Sequence, residues 1–139
     1  MTETTGRCLC GACVMTIEPG PEAGACHCDF CRKWSGGIFI AVDAKRPVRF
    51  ADDAPIGVYR SSEWAERVFC RTCGSSLLWR SVDGQHNAVS VQVFDDPAAF
   101  PVTSEIFTDR KPVTYALAGS LNGMTGPEFM AQFSPDEEG

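Results

Sequence analysis

The eight cysteines of this chain fall in three short clusters and nowhere else. The first is Cys8-Leu9-Cys10-Gly11-Ala12-Cys13, the second Cys26-His27-Cys28-Asp29-Phe30-Cys31, and the third Cys70-Arg71-Thr72-Cys73-Gly74. Such grouping limits the covalent chemistry available. Neighbours in a C-x-C pair are badly oriented for a disulfide with each other. A redox C-x-x-C usually opens a helix after a strand, a setting not visible around Cys28–Cys31 or Cys70–Cys73. The start of the chain, Met1-Thr2-Glu3-Thr4-Thr5-Gly6-Arg7, carries no apolar segment of a secretory signal. The expected compartment is therefore the reducing cytoplasm, where clustered cysteines are better read as metal ligands than as bridges.

Zinc suits this spacing. A tetrahedral ion takes four ligands, and a short knuckle supplies two of them from one turn. Cys10 and Cys73 are each followed by glycine, which can take positive φ and let backbone N–H groups turn toward the sulfurs. Two knuckles ending in Cys-Gly read as halves of one closed site, Cys8, Cys10, Cys70 and Cys73. The second cluster then offers Cys26, Cys28 and Cys31, three thiolates with one coordination position open, the pattern of a catalytic or exchangeable zinc. Cys13 lies in a run where Cys13, Met15 and Ile17 alternate with Val14, Thr16 and Glu18, and core packing on a strand is the favoured reading. A rival pairing, Cys10-x₂-Cys13 with Cys28-x₂-Cys31, leaves Cys8 and Cys26 without a role and ranks second.

The chain has 139 residues, 44% of them hydrophobic, enough for one domain with its own core, about residues 6–133, and flexible ends. Twelve basic against eighteen acidic side chains give a net charge of −6, and two zinc–thiolate sites would carry it to about −9. Nucleic acid is not expected as a partner, and no apolar run is long enough for a membrane span. Strands are expected at Ala12–Glu18, into Cys26, and at Gly37–Asp43, Pro47–Phe50, Ile56–Arg60, Arg67–Cys70, Ser76–Arg80, Asn87–Phe94 and Thr103–Phe107. Pro19-Gly20-Pro21 reads as a break and Asp83-Gly84 as a hairpin turn. Residues 1–7 read as a flexible lead and Ser134–Gly139 as a frayed acidic tail. Helix is expected only at Asp29–Trp34 and from Thr125, where Pro127 and Glu128 suit a first turn. The fold class is mostly β.

His27, between two ligating positions, reads as a packing residue behind the metal site, and His86 as an exposed strand start. Trp34 and Trp64 read as core, and Asp109-Arg110-Lys111-Pro112 as a charged turn. Arg32, Lys33, Arg71 and Arg80 are candidates for holding an anionic substrate against the acidic background.

C-x-C-G near the start, C-H-C-x-x-C-R followed by Trp34-Ser35-Gly36, and Phe69-Cys70-x-x-Cys73-Gly74-x-x-Leu77 resemble the glutathione-dependent formaldehyde-activating family, also described through the centromere protein V domain. Ser62–Arg67 and Glu105–Pro112 are similar to members as well, so the resemblance runs from about Gly6 to Phe133. It implies a β-tent of short antiparallel sheets pinned by zinc. It also implies a structural zinc at Cys8, Cys10, Cys70 and Cys73, a second zinc at Cys26, Cys28 and Cys31, and no role for Cys13. The implied activity is that of a carbon–sulfur lyase, addition of glutathione to formaldehyde to give S-hydroxymethylglutathione. The expected partner is thus a small thiol, with homodimerisation a further expectation. Two other readings stand beside it. One is a zinc-stabilised binding or scaffold module, since no second catalytic constellation stands out in the sequence. The other is a thiol redox or zinc-buffer protein.

Overall fold

The computed structural model describes residues 2–133. In chain order the elements are β1 (Thr4–Arg7), β2 (Val14–Ile17), β3 (Pro19–Cys26), α1 (Asp29–Ser35), β4 (Phe39–Ala44), β5 (Arg49–Phe50), β6 (Ile56–Arg60), β7 (Ala65–Cys70), β8 (Ser76–Ser81), β9 (Asn87–Ser90), β10 (Val102–Ile106), β11 (Asn122–Met124) and α2 (Gly126–Met130). Short 3₁₀ turns lie at Val91–Val93, Pro97–Ala99 and Thr108–Arg110. The chain is mostly β, as its many short apolar runs predict, and its strands belong to two sheets. Among the described residues no helix is long and apolar enough to cross a membrane. The residues group into two compact units.

The first unit comprises residues up to Ala23 together with Ala41–Pro101. One of its sheets has the order β1-β2-β5, antiparallel throughout, with Thr4 opposite Ile17 and Met15 opposite Phe50. The other is an antiparallel run in which β4 pairs with β9, then β8, β7 and β6 follow. Alternation buries Met15 and Ile17 on β2; on β8 the consecutive Leu77 and Leu78 are both buried, so both faces of that strand are covered there, and Val68 and Val89 on its neighbours are buried as well. Cys13, just before β2, is fully buried, as the alternation with Met15 and Ile17 predicts. Gly57 faces Phe69 across the β6–β7 pair, and its missing side chain is required there, because a Cβ would collide with the Phe69 ring. Gly84 takes positive φ (77°) in the β8–β9 hairpin, the turn expected from Asp83-Gly84.

The second unit comprises Gly24–Ile40 together with the chain from Val102 onward. Here β10 and β11 pair in parallel, with Glu105 opposite Gly123. Helix α2 opens on a capping box, in which Thr125 Oγ1 accepts from the Glu128 N–H and the Glu128 carboxylate accepts from the Thr125 N–H. Phe107, just after β10, holds the left-handed conformation (φ 57°). Its ring packs on Phe129 and so close to Gly126 that a Cβ there would lie 2.7 Å from it.

Four expectations about elements need correction. Thr4–Arg7 is a strand paired with β2, so this part of the expected flexible lead is ordered. Pro19-Gly20-Pro21 is the beginning of β3 and does not break the chain; the prolines sit at the strand's first residues, where a missing N–H is tolerated. The valine alternation ends as a strand at Ser90, because the Ser90 hydroxyl accepts from the Gln92 N–H and turns Val91–Val93 into a 3₁₀ segment. Trp64 is 43% exposed, edge-on to Trp79, where core packing was expected. The expected frayed tail at Ser134–Gly139 lies outside the described residues.

Candidate metal centres

The first cluster forms within the first unit. Cys8 and Cys10 come from the turn between β1 and β2, and Cys70 and Cys73 from the turn between β7 and β8. The two turns share a left-handed glycine, although the second is one residue longer. Gly11 and Gly74 both have φ 82°, and each donates its N–H back to the turn's first carbonyl, Gly11 to Cys8 O (3.2 Å) and Gly74 to Cys70 O (2.8 Å). This is the conformation anticipated from the glycine after each knuckle. Backbone N–H groups then point at sulfur: Cys13 N donates to Cys8 Sγ (3.3 Å) and Cys73 N to Cys70 Sγ (3.4 Å).

All four Sγ atoms lie within 4.8 Å of one another, with Cys8–Cys10 at 3.6 Å and Cys10–Cys70 at 3.9 Å. Sulfurs on a tetrahedral zinc at Zn–S near 2.3 Å stand about 3.8 Å apart, so these separations fit the ion. The donor set, four thiols and no oxygen ligand, also suits zinc.

The thiols of this cluster differ in acidity. Hydrogen bonds from the Ser75 hydroxyl, and from the backbone N–H groups of Ser75 and Cys10, hold Cys73 down at about 5. The Cys73 and Thr72 N–H groups lower Cys70 as well. The Ala12 N–H favours the Cys10 thiolate, but burial and the thiols of Cys8, Cys73 and Cys70 outweigh it and push Cys10 up to about 11. Burial, then the neighbouring Cys70, raises Cys13 to about 12, so Cys13 stays a thiol beside the cluster.

A prediction follows for the metal-free, reduced protein. At pH 7 a thiol of pKa about 5 is about 99% thiolate, and one near 12 is on the order of 10⁻⁵ thiolate. Iodoacetamide should therefore alkylate Cys73 at least about 100-fold faster than buried Cys13, as read by peptide mapping. Equal rates would show that the Ser75 hydrogen bonds do not act as described. The Cys73 rate itself should fall as the pH drops through 5, while its ratio to the Cys13 rate does not diminish, because the Cys13 thiolate fraction falls at least as steeply. Over the same range the folded chain loses the stabilisation this thiolate gives it, which is complete only above the unfolded thiol's pKa, near 8.5–9.

The second cluster forms within the second unit. Cys26 ends β3, and Cys28 is the N-cap of α1, its Sγ accepting from the Cys31 N–H at 3.3 Å. Helical geometry from Asp29 brings Cys31, buried on the inner face, back toward Cys28. The three Sγ atoms of Cys26, Cys28 and Cys31 lie within 4.8 Å of one another. Hydrogen bonding with Cys28 and Cys31, with burial added, raises the Cys26 thiol far above the ordinary range. The donor chemistry again suits zinc, here with three protein ligands.

His27 is fully buried. Its Nε2 lies 2.7 Å from Glu105 Oε1 and its Nδ1 3.3 Å from Tyr115 Oη. Lys111 donates to the Tyr115 carbonyl (2.8 Å), with its Nζ 5.6 Å from the Tyr115 ring centre. Asp29, first residue of α1, accepts from Arg32 (2.6 Å) and from Arg110 (2.7 Å). The Arg110 guanidinium, then Arg32, holds the Asp29 carboxyl below the usual range. Arg110 thus ties the 3₁₀ turn at Thr108–Arg110 to the knuckle, more than the plain charged turn expected there.

The candidate substrate cations fare unequally. Arg32 is engaged by Asp29 and by the His27 carbonyl (3.0 Å), and Arg80 by Glu66 (2.9 Å). Lys33 is exposed on α1 of the second unit. Arg71 is exposed in the turn of the first cluster, its N–H bonded to Pro55 O. Glu105, Tyr115, Asp29 and Arg110 were not singled out as site residues. Asp29 directly follows Cys28 in the sequence, whereas Glu105 and Tyr115 lie 78 and 88 residues beyond His27 and reach it only through the fold.

A mostly β chain with two cysteine groups that can each hold zinc defines a class of zinc–thiolate proteins. Residues 3–110 match the family described as glutathione-dependent formaldehyde-activating enzyme, and the chain belongs to that family. An uncharacterized lyase of the fission yeast Schizosaccharomyces pombe is 30% identical over 132 residues, covering 94% of this chain and 96% of the yeast protein. The crystal structure of a Rhodobacter sphaeroides protein superposes with a TM-score of 0.59 at 27% identity, over 72% of this chain and all of that one.

Proposed function

We propose that this chain is a zinc-dependent enzyme of the carbon–sulfur lyase type. It acts on a small thiol such as glutathione and on formaldehyde to form and cleave S-hydroxymethylglutathione. The observation that carries this reading is the convergence of Cys26, Cys28 and Cys31, a group of three thiols with no fourth ligand among the described residues, in a chain of this family. The lyase name of the yeast relative agrees with the reaction class.

Cys26, Cys28 and Cys31 would hold one zinc, and Cys8, Cys10, Cys70 and Cys73 a second, structural one. An ion held by Cys26, Cys28 and Cys31 would supply positive charge that favours the thiolate form of a substrate thiol at neutral pH. In the forward reaction the glutathione sulfur forms a bond to the formaldehyde carbon. The carbonyl π pair becomes an O–H bond, and the proton lost by the thiol balances it. Cys26 and Cys28 are half-buried and Cys31 is buried. Asp29 keeps Arg32 and Arg110 folded onto the start of α1 and sets the local charge there. Lys33, exposed on the helix that carries Cys31, remains the candidate for meeting a carboxylate of glutathione.

Uncatalysed thiol addition to formaldehyde is already facile, so the test must measure exchange. Magnetisation-transfer NMR on an equilibrium mixture of glutathione, formaldehyde and adduct reads the interconversion rate directly. The zinc-loaded protein should accelerate it in proportion to its concentration. A rate equal to the protein-free mixture at every concentration would overturn the reading.

A further inference from the structure

Every polar atom of His27 is committed, although the residue sits between two candidate metal ligands. Its N–H donates to Ile106 O (3.2 Å), and its carbonyl accepts from Arg32 Nε (3.0 Å). Its ring nitrogens face Glu105 Oε1 (2.7 Å) and Tyr115 Oη (3.3 Å). An ionised carboxylate can only accept, so the hydrogen of that shorter bond sits on Nε2. The imidazole is completely buried, both ring nitrogens are taken by Glu105 and Tyr115, and neither belongs to the group formed by the three sulfurs. A C-x-C segment has few ways to bend, and fixing the middle residue at four points fixes the two flanking Cα–Cβ directions as well.

We infer that Glu105 and Tyr115 are positioning residues for the three-cysteine site. They grip the His27 ring from behind and hold Cys26 and Cys28 in ligating geometry before any ion arrives. The second centre is in that case preorganised by hydrogen bonds of the fold. Its affinity for metal should depend on side chains that never touch the metal, as is common where groups behind a site orient its ligands. The inference rests on the proposed reading that Cys26, Cys28 and Cys31 take a metal ion.

The test titrates Co²⁺ alone into reduced full-length protein whose first cluster retains zinc, and follows sulfur-to-cobalt charge transfer. Glu105→Ala should weaken Co²⁺ binding by about 10- to 100-fold. Glu105→Gln should remain within about threefold of wild type, because its amide oxygen still accepts from Nε2. A purely structural loss would not be rescued in this way, and it would also release zinc from the first cluster, which should stay bound in both variants. Tyr115→Phe, which removes one hydroxyl, covers the case in which Glu105→Ala does not fold, and it should weaken binding severalfold. Wild-type affinity in Glu105→Ala, or in Tyr115→Phe if that is the variant measured, would overturn the positioning role. Wild-type protein that takes no Co²⁺ beyond the first cluster would instead overturn the metal reading of the second cluster, and this inference with it.

Discussion

Cys70→Ser is expected to be the most damaging single substitution in the chain. Cys70 is fully buried at the end of β7, and its Sγ accepts from the Cys73 N–H and lies 3.9 Å from Cys10 Sγ. Cys10 and Cys70 are 60 residues apart, so a metal held by both closes a long loop as well as a turn. Structural zinc contributes roughly 10–16 kcal/mol in small metal-dependent domains, which equals or exceeds the roughly 5–15 kcal/mol net stability of a typical domain. Serine supplies a harder, poorer ligand and leaves three crowded thiols behind. The variant should lose the first zinc and on the order of 4 kcal/mol or more of stability, lowering the melting temperature by about 15 °C or leaving the chain unfolded. Thermal unfolding followed by circular dichroism, with zinc quantified on the same sample, reads both. A melting temperature within about 3 °C of wild type would show that the first cluster does not hold the fold together.

The second large effect separates chemistry from folding. Cys31→Ser changes a buried side chain on α1, yet it leaves the Cys28 Sγ cap and all of the first cluster in place. Two thiols alone make a weak zinc site, so the second ion should be lost at micromolar zinc. Adduct exchange should fall by at least about 100-fold, to the level of the protein-free mixture. The melting temperature should fall far less than in Cys70→Ser, because α1 keeps its cap and its packing. Exchange at the wild-type rate in a variant lacking the second zinc would remove the catalytic role from this cluster.

These two substitutions rest on what was most legible in the chain. Metal ligands delivered by short turns are written locally: Cys8-x-Cys10-Gly11 and Cys70-x-x-Cys73-Gly74 carry both the sulfurs and the left-handed glycine that aims them. The capped starts of α1 and α2 and the Asp83-Gly84 turn are local in the same sense. Strands that depend on a distant partner were harder to see. Thr4–Arg7 shows no apolar alternation and becomes β1 by pairing with β2, and Asn122–Met124 becomes β11 only beside β10. The support of the second cluster was equally hidden. His27 could be read as a packing residue, but Glu105 and Tyr115 reach it only through tertiary structure. Arg32, singled out for its charge, proves to be committed to Asp29 within its own helix, an i,i+3 pair in hindsight visible in the sequence.

The proposed function requires the cysteines to divide four and three between two metal ions, with Cys13 left as a buried thiol. Native mass spectrometry of the zinc-loaded protein, together with its Cys31→Ser and Cys13→Ala variants, counts the ions directly. Two zinc ions are expected in wild type, one in Cys31→Ser and two in Cys13→Ala. A single ion in wild type, or loss of an ion on replacing Cys13, would contradict it.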